Sequence, residues 1–196
     1  MQTETTKKKI ISFAMELFVA NGIISVKMND IANGLHISKR TVYKLFPHKE
    51  DLVFAGIKAF HEDNDNERDE FVREHNGDIL SILYWLLNKQ IDVLPKIRPV
   101  FYDDIQKYPK VQEYIEEHRR DEKAQIKAFL AEGVKQGIFR DDINYNLFMD
   151  ILSVCGQAFS KEKLYFKYPL IDILNNGTLV LLRGIMTESA RKKLNF

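Results

Sequence analysis

Hydrophobic residues recur every three or four positions along most of this 196-residue chain, a spacing that places them on one face of an α-helix. No segment shows the strict alternation of hydrophobic and polar residues that is typical of a half-buried β-strand. The pattern predicts helices over about residues 6–21, 26–34, 38–46, 49–76, 79–94, 99–108, 109–136, 144–162 and 168–188. We therefore predict an all-α fold.

Residues 31–49 contain two short helical patterns that are separated by a break at Gly34. Ser38 is a good N-cap for the second pattern, because its side chain can accept a hydrogen bond from the first turn of a helix. Two short helices joined by a tight turn form the helix-turn-helix motif, whose second helix lies in the major groove of DNA. This segment therefore predicts a DNA-binding element.

Lys39 and Arg40 occupy the first turn of this second helix, where the helix dipole favours acidic residues. A bound anion such as a DNA phosphate would reverse the sign of that effect. The same residues are equally consistent with a short surface helix whose basic side chains are merely solvated. On these charges alone, both interpretations stay open.

A longer set of residues in the first fifty or so positions matches the signature of one family. The matching residues are Ile10, Ala14, Leu17, Phe18, Gly22, Met28, Asp30, Ile31, Ala32, Ile37, Ser38, Lys39, Thr41, Val42, Tyr43, Phe46, Lys49, Glu50, Asp51 and Leu52. This segment resembles the N-terminal region of the tetracycline-repressor (TetR) family of transcriptional regulators, and the match contains no insertion or deletion. The resemblance implies a three-helix DNA-binding head in which Lys49 meets a phosphate. It also implies a homodimer in which the last two long helices pair with their copies.

Nine residues of the head are predicted DNA contacts, and they are Lys27, Asn29, Ser38, Lys39, Arg40, Thr41, Tyr43, Lys44 and Lys49. Lys39 and Arg40 can reach O6 and N7 of guanine, while Thr41 can contact a phosphate or a thymine methyl group. Asn29 can reach an adenine edge or a phosphate, and Lys44 can read a base or a phosphate. Double-stranded DNA is therefore the predicted partner of this face.

Aromatic residues are frequent on the helices predicted after residue 79. Pockets for small molecules are mainly apolar with a few polar groups, and Tyr, Trp and His supply both kinds of surface. The predicted ligand-binding residues are Tyr84, Trp85, Phe101, Tyr102, Tyr114, His118 and Phe129. The competing interpretation is that most of them are ordinary core residues.

The helices predicted over residues 144–162 and 168–188 carry apolar stripes that exceed what one partner helix would cover. The predicted dimer interface consists of Leu147, Ile151, Cys155, Phe159, Leu174, Thr178, Leu181 and Ile185. A two-fold interface of this kind would place two heads for a pseudo-palindromic DNA site.

Composition narrows the class of function. A hydrophobic content of 45% and a charged content of 29% are ordinary for a soluble globular protein. No apolar run approaches the roughly 18 residues that cross a bilayer, and the N-terminus lacks the apolar region of a signal peptide. The single cysteine excludes an intramolecular disulfide. We therefore expect a cytoplasmic protein with no membrane partner.

The net charge of +1 conceals an uneven distribution. Residues 1–52 carry a net +3 and residues 53–196 a net −2, which suits a protein that presents one end to nucleic acid. The chain contains no Gly-rich phosphate loop, no Cys/His zinc spacing and no HExxH motif. We therefore expect no catalytic residues, no metal site, no cofactor and no enzymatic activity.

The combined prediction is a helix-turn-helix DNA-binding head over residues 1–52 and a C-terminal helical bundle over residues 53–196 that binds a ligand and dimerises. We expect a repressor that an unidentified small molecule releases from its operator. One alternative is an architectural or protein-partnered DNA-binding factor without a small ligand. A more remote alternative is a helical enzyme that carries a DNA-binding head.

Overall fold

The computed structural model describes residues 2–194, and in this part of the chain the elements are helices, turns and one isolated bridge between Phe139 and Met186. The predicted all-α fold is confirmed. The helices are α1 (Gln2–Asn21), α2 (Met28–Gly34), α3 (Lys39–Leu45), α4 (Lys49–Glu74), α5 (Ile79–Val93), α6 (Pro99–Ile105), α7 (Pro109–Lys135), α8 (Tyr145–Lys161), α9 (Leu164–Lys167), α10 (Leu170–Ile173), α11 (Leu179–Ile185) and α12 (Glu188–Leu194). None of these helices is long and apolar enough to span a membrane.

Individual residues set the ends of the first three helices. Gly22 follows α1 with a φ of 87°, a left-handed conformation that glycine adopts without strain. Before α2, the backbone N–H of Lys27 donates to Asp30 Oδ2 at 2.7 Å. At the start of α3, the Thr41 N–H donates to Ser38 Oγ at 3.1 Å. The N-cap predicted at Ser38 is therefore present.

The helix predicted over residues 168–188 is shorter than expected and is interrupted. Pro169 precedes α10, and Met186 adopts an extended conformation in which it bridges to Phe139. Between α10 and α11 the backbone forms a π-helical turn over Leu174–Thr178. The periodicity predicted neither α9 nor α12, because short helices carry too few turns to establish a pattern.

The described residues pack into two compact units. The first contains the chain up to Arg68 together with Lys96–Glu116, and the second contains Asp69–Pro95 together with the chain from Glu117 onward. Helices α4 and α7 each contribute residues to both units. The predicted functional division at residue 52 stays a prediction, because these units are defined by packing alone.

The core of the first unit joins α1, α2, α3, α6 and the adjacent parts of α4 and α7. Each of these helices contributes deeply buried side chains, among them Ile10, Phe18, Ile31, Val42, Leu52, Phe101 and Val111. Burying one large apolar side chain contributes about 1.5–3 kcal/mol relative to leaving it exposed. The short helices α2 and α3 are therefore held by this common core rather than by their own hydrogen bonds.

The core of the second unit joins α5, the C-terminal part of α7, α8 and the helices that follow. Its buried side chains include Ile79, Leu83, Leu87, Leu130, Phe139, Met149, Leu174, Leu179 and Ile185. Gly133 allows close packing, since an added Cβ would lie 2.2 Å from the Phe139 ring. The many apolar residues of α5 (Ile79–Val93) would allow burial on all sides. Instead it buries one face, and Tyr84 is 54% exposed.

Asp78 caps α5, because its Oδ2 accepts a hydrogen bond from the Ser81 N–H at 3.0 Å. Hydrogen bonding with Ser81 lowers the pKa of the Asp78 carboxyl below its ordinary value of 3.8. We expect Asp78→Ala to lower the free energy of unfolding by about 1 kcal/mol at neutral pH. A carboxyl with a lowered folded pKa stabilises above its unfolded pKa, and that stabilisation is lost as pH falls through the folded pKa. In chemical denaturation, the difference from wild type should therefore shrink below about pH 4.

Asp92→Ala is the matched control, because it removes an exposed carboxylate near the other end of the same helix. We expect its stability to equal or slightly exceed that of the wild type, since an acid near a helix C-terminus is unfavourable. An equal loss in both variants, or a loss at Asp78 that does not depend on pH, would contradict the cap.

Candidate nucleic-acid interface

Helix α3 turns Val42 into the core and directs four long side chains outward. Val42 is fully buried, whereas Lys39, Arg40, Tyr43 and Lys44 are exposed. Three of the four are basic, so this face presents positive charge together with donors that suit base edges and phosphates. The sequence-predicted residues of α3 therefore lie together on one accessible face.

Contacts within α3 order its first turn. The Nζ of Lys39 lies 5.5 Å from the centroid of the Tyr43 ring, a cation–π arrangement. Ser38 Oγ and Thr41 Oγ1 are 2.8 Å apart, and Ser38 also accepts the Thr41 N–H. The Ser38 side chain thus has a structural role as a cap. To contact DNA as predicted, the same hydroxyl group would have to bind DNA while it caps the helix.

Lys27 and Asn29 lie at the start of α2, and both are exposed. Between and beyond them, Met28 and Ile31 are 6% and 0% exposed in the core of the first unit. The alternation follows the helix period, so the same short helix contributes to the core and to the accessible face.

Lys49 has contacts that sequence reasoning did not foresee. Its Nζ donates to the carbonyl oxygen of Ile24 at 3.2 Å and lies 5.7 Å from the centroid of the Phe18 ring. Burial lowers the pKa of Lys49, and the charges of Asp104 and Asp30 partly oppose that shift. Lys49 therefore supports the turn between α1 and α2. Its predicted contact with a phosphate stays a prediction.

Asp104 of α6 supports the same turn and is only 3% exposed. Its Oδ2 accepts the Ile24 N–H at 2.8 Å, and its Oδ1 lies 3.2 Å from Lys107 Nζ. Gly22 permits this approach, since an added Cβ would lie 3.0 Å from the carboxylate and 2.9 Å from Val100. Sequence reasoning missed Asp104, and no local pattern could reveal it, because its partner lies 80 positions away.

Three of the predicted ligand-binding residues belong to the first unit. Phe101 is 7% exposed within the core, and Tyr102 is half-buried, which raises the pKa of its hydroxyl. Tyr114 stacks on His61 with ring centroids 5.5 Å apart and meets Phe54 edge-on at 5.4 Å. Phe101 and Tyr114 therefore have the contacts of packing residues, as the competing interpretation held.

The second unit has a solvent-open groove of about 320 Å³ near the start of α5. Its lining residues are Phe71, His75, Leu80, Ser81, Tyr84 and Lys193. Of the predicted ligand-binding residues, Tyr84 lines it, and Trp85 stacks on Phe71 at 5.1 Å. His118 and Phe129 do not line it, and Phe129 packs against the core of the unit. The predicted set is thus not brought together in this groove.

One face of α8 carries exposed apolar side chains. Leu147, Ile151 and Val154 are 56%, 47% and 63% exposed, and Cys155 is also exposed. These positions recur at helical spacing and form a stripe. Phe159, which was predicted to join them, is half-buried. The three large side chains are available to a partner.

The predicted interface residues of the π-helical turn and α11 divide into two groups. Leu174 and Ile185 are 3% and 4% exposed in the core of the second unit, so their assignment to an interface is corrected. Thr178 is exposed and Leu181 is half-buried. Val180, which sequence reasoning did not select, is 52% exposed. Helix α11 therefore buries Leu179 and Ile185 in the core of the second unit and leaves Val180 exposed.

Residues 10–55 match the sequence profile of the bacterial regulatory proteins of the tetR family. This span runs from α1 into α4 and includes all nine predicted DNA contacts. It is the TetR DNA-binding domain. The resemblance seen in the sequence is thereby confirmed, and the protein is a DNA-binding transcriptional regulator. No significant match links the chain to a curated protein.

Solved structures share the TetR fold over nearly the whole chain. A TetR-family regulator from Agrobacterium tumefaciens is 18% identical, with a TM-score of 0.68 over 94% of this chain and 100% of its own. A transcriptional regulator from Saccharomonospora viridis in complex with choline is 22% identical, with a TM-score of 0.62 over 98% and 94%. The ketosteroid regulator KstR2 of Mycobacterium tuberculosis is 20% identical, with a TM-score of 0.59 over 93% and 96%. At these identities the likeness shows the fold.

Proposed function

We propose that this TetR-type regulator is a homodimeric repressor that binds a pseudo-palindromic operator through α3 and is released by a small molecule. The observation that carries the proposal is the outward face of α3, which presents three basic side chains from a TetR DNA-binding domain. The protein acts by binding rather than by catalysis. It works in the cytoplasm, where a bacterial operator is accessible.

The nine contacts divide by chemistry into base readers and phosphate contacts. Arg40 and Lys39 are the base readers, because their long side chains can donate to O6 and N7 of guanine. Tyr43, Lys44 and Lys27 contact the phosphate backbone, which fixes the register of α3 in the groove. Lys49 also meets a phosphate, as the family resemblance implies, and Asn29, Ser38 and Thr41 are the remaining predicted contacts.

The exposed stripe on α8 supports a two-fold dimer. In a single chain Leu147, Ile151 and Val154 remain in water, whereas the same stripe on a second copy would bury all three. Gly177 and Gly184 also support a dimer, because a glycine lets a second helix approach closely. In the single chain nothing lies within 4 Å of a Cβ built at either position, so this space is open to a partner. A dimer of this kind would offer two α3 helices to half-sites about 34–36 Å apart, one turn of DNA.

The groove lined by Tyr84 and Lys193 supports release by a ligand. Its aromatic wall and its single lysine suit a small aromatic molecule that carries an acidic group. Two relatives of the same fold are a regulator in complex with choline and a ketosteroid regulator. A ligand would act by binding more tightly to the conformation that does not fit the operator.

The alternative is a regulator that responds to a protein partner and has no small ligand. The open shape of the groove favours it, because pockets usually bury most of the surface of a bound small molecule.

Arg40→Ala should weaken binding to the operator by about 1–3 kcal/mol and relax base preference at one position of each half-site. The measurement is fluorescence anisotropy on the duplex found by footprinting upstream of the regulator's own gene, with single-base variants. Lys58→Ala is the control, since Lys58 is an exposed residue of α4 that pairs with Glu62 at 3.6 Å. If Arg40→Ala keeps both affinity and base preference, the assignment of Arg40 is wrong.

Ile151→Glu should dissociate the dimer and weaken operator binding together, because it places a charge in the centre of the apolar stripe. Ser153→Glu is the matched control, since Ser153 is exposed on a different side of α8. Sedimentation velocity and anisotropy should report a monomer with weak binding for the first variant and a dimer with wild-type binding for the second. A wild-type protein that sediments as a monomer at micromolar concentration would refute the dimer.

To identify the ligand class, small molecules are screened for release of the wild-type protein from its operator. Tyr84→Ala and Lys193→Ala should each raise the concentration for half-release by roughly 10-fold, because each removes part of the groove. Lys192→Ala is the control, since Lys192 pairs with Glu188 at 2.7 Å and does not line the groove. If neither Tyr84→Ala nor Lys193→Ala changes the concentration for half-release, the ligand binds outside this groove. Release by a cellular protein alone would favour the alternative.

A further inference from the structure

Among the residues that the structure describes, Asp104 is the one polar or charged residue that is buried. A buried carboxylate is costly unless each oxygen has a partner. Here both oxygens are used, since Oδ2 accepts the Ile24 N–H and Oδ1 accepts from Lys107 Nζ. The position of this carboxylate is therefore tightly constrained.

The hydrogen bond to Ile24 holds the turn by its backbone rather than by its side chain. The side chain of Ile24 is 53% exposed, while Ile23 and Val26 on either side are 0% and 5% exposed. The N–H of Ile24 is held by Asp104 of α6, and its carbonyl oxygen is held by Lys49 of α4. Both peptide groups of one residue are thus fixed by helices outside the turn.

This turn leads directly into the DNA-binding elements. Three residues after Ile24, the Lys27 N–H is capped by Asp30 and α2 begins. Helix α2 shares a continuous core with α3 through Ile31 and Val42, both fully buried. A shift of the turn must therefore move α2, and α3 with it.

We propose that Asp104 is a positioning residue for operator binding: by holding the Ile24 amide, it sets the placement of α2 and α3 in the first unit. The inference rests on the proposed function. It makes α6 part of the DNA-binding apparatus, although α6 lies more than fifty residues beyond α3 in sequence and touches no DNA in this scheme.

Electrostatics and positioning predict opposite signs for the loss of Asp104. Removing a negative charge from a DNA-binding unit should tighten binding, because the phosphates attract net positive charge. Loss of the Ile24 hydrogen bond should weaken binding, because the turn is no longer fixed. Two substitutions of equal charge separate these effects.

The experiment compares Asp104→Asn with Asp104→Leu in operator titrations of the full-length dimer. Both substitutions remove the charge and keep the number and branching of the side-chain heavy atoms, but only asparagine retains an oxygen that can accept the Ile24 N–H. We expect the leucine variant to bind about 10-fold more weakly than the asparagine variant, since it leaves a shielded donor without its partner. If the leucine variant does not fold, Asp104→Ala takes its place.

A second readout distinguishes positioning from simple loss of stability. In the ¹H–¹⁵N spectrum of folded protein, we expect the leucine variant to shift the Ile24 amide and the amides of α2 and α3, and to speed hydrogen exchange at Ile24. The asparagine variant should retain slow exchange there. A purely structural role would lower the denaturation midpoint and leave the affinity of the folded protein unchanged.

Asp103→Asn and Asp103→Leu are the matched controls, because Asp103 also lies near Lys107, at 3.3 Å, and the structure shows Ile24 bonded to Asp104 instead. They should bind the operator alike. Equal operator affinity of Asp104→Asn and Asp104→Leu would overturn the inference about Asp104, while the proposed DNA-binding function would stand. Failure of the wild type to bind any operator duplex would overturn both the inference and the proposed function.

Discussion

Where a tight turn packs against a core, a backbone group that is shielded from water needs a hydrogen-bond partner inside the protein. In this regulator that requirement falls on the turn between α1 and α2. The N–H of Ile24 is satisfied by Asp104 and its carbonyl by Lys49. The first unit is therefore complete only when Lys96–Glu116 packs against the N-terminal helices. The same segment adds Arg98, whose N–H donates to the Val19 carbonyl at 3.1 Å.

A DNA-binding surface has to be stable without its ligand, and α3 shows how that is achieved. Its first turn carries Lys39 and Arg40, which the helix dipole disfavours. The Ser38 cap and the burial of Val42 offset this effect, and the Tyr43 ring supports Lys39 from one side. The charges that lower the stability of the free helix are those that an anionic partner would favour. Stability thus comes from the inner face, whereas the outer face carries the proposed DNA contacts.

Exposed apolar side chains of the second unit form two surfaces, which are a stripe on α8 and a groove beside Tyr84. The α8 stripe exposes Leu147, Ile151 and Val154 at helical spacing, which suits a second helix. The groove beside Tyr84 mixes aromatic rings with Lys193, which supports the proposed small-molecule site, whereas its open shape favours the alternative. The sequence predicted Leu147 and Ile151 of the stripe as interface residues, but of the residues that line the groove it selected only Tyr84.

Local chemistry in the sequence determined what depends on neighbours three or four residues apart. The caps at Ser38 and Asp78 and the helix period belong to this class, because the interacting residues lie within one turn. The family signature is also a property of the sequence alone, because it consists of residue identities along the chain. The tertiary structure alone decided which apolar residues are core. Phe101, Leu174 and Ile185 were assigned to a pocket or an interface, but long-range packing buries them. It alone also decided the contact of Asp104 with Ile24, since a hydrogen bond across 80 positions leaves no periodic trace in the chain and exists only once the helices have packed.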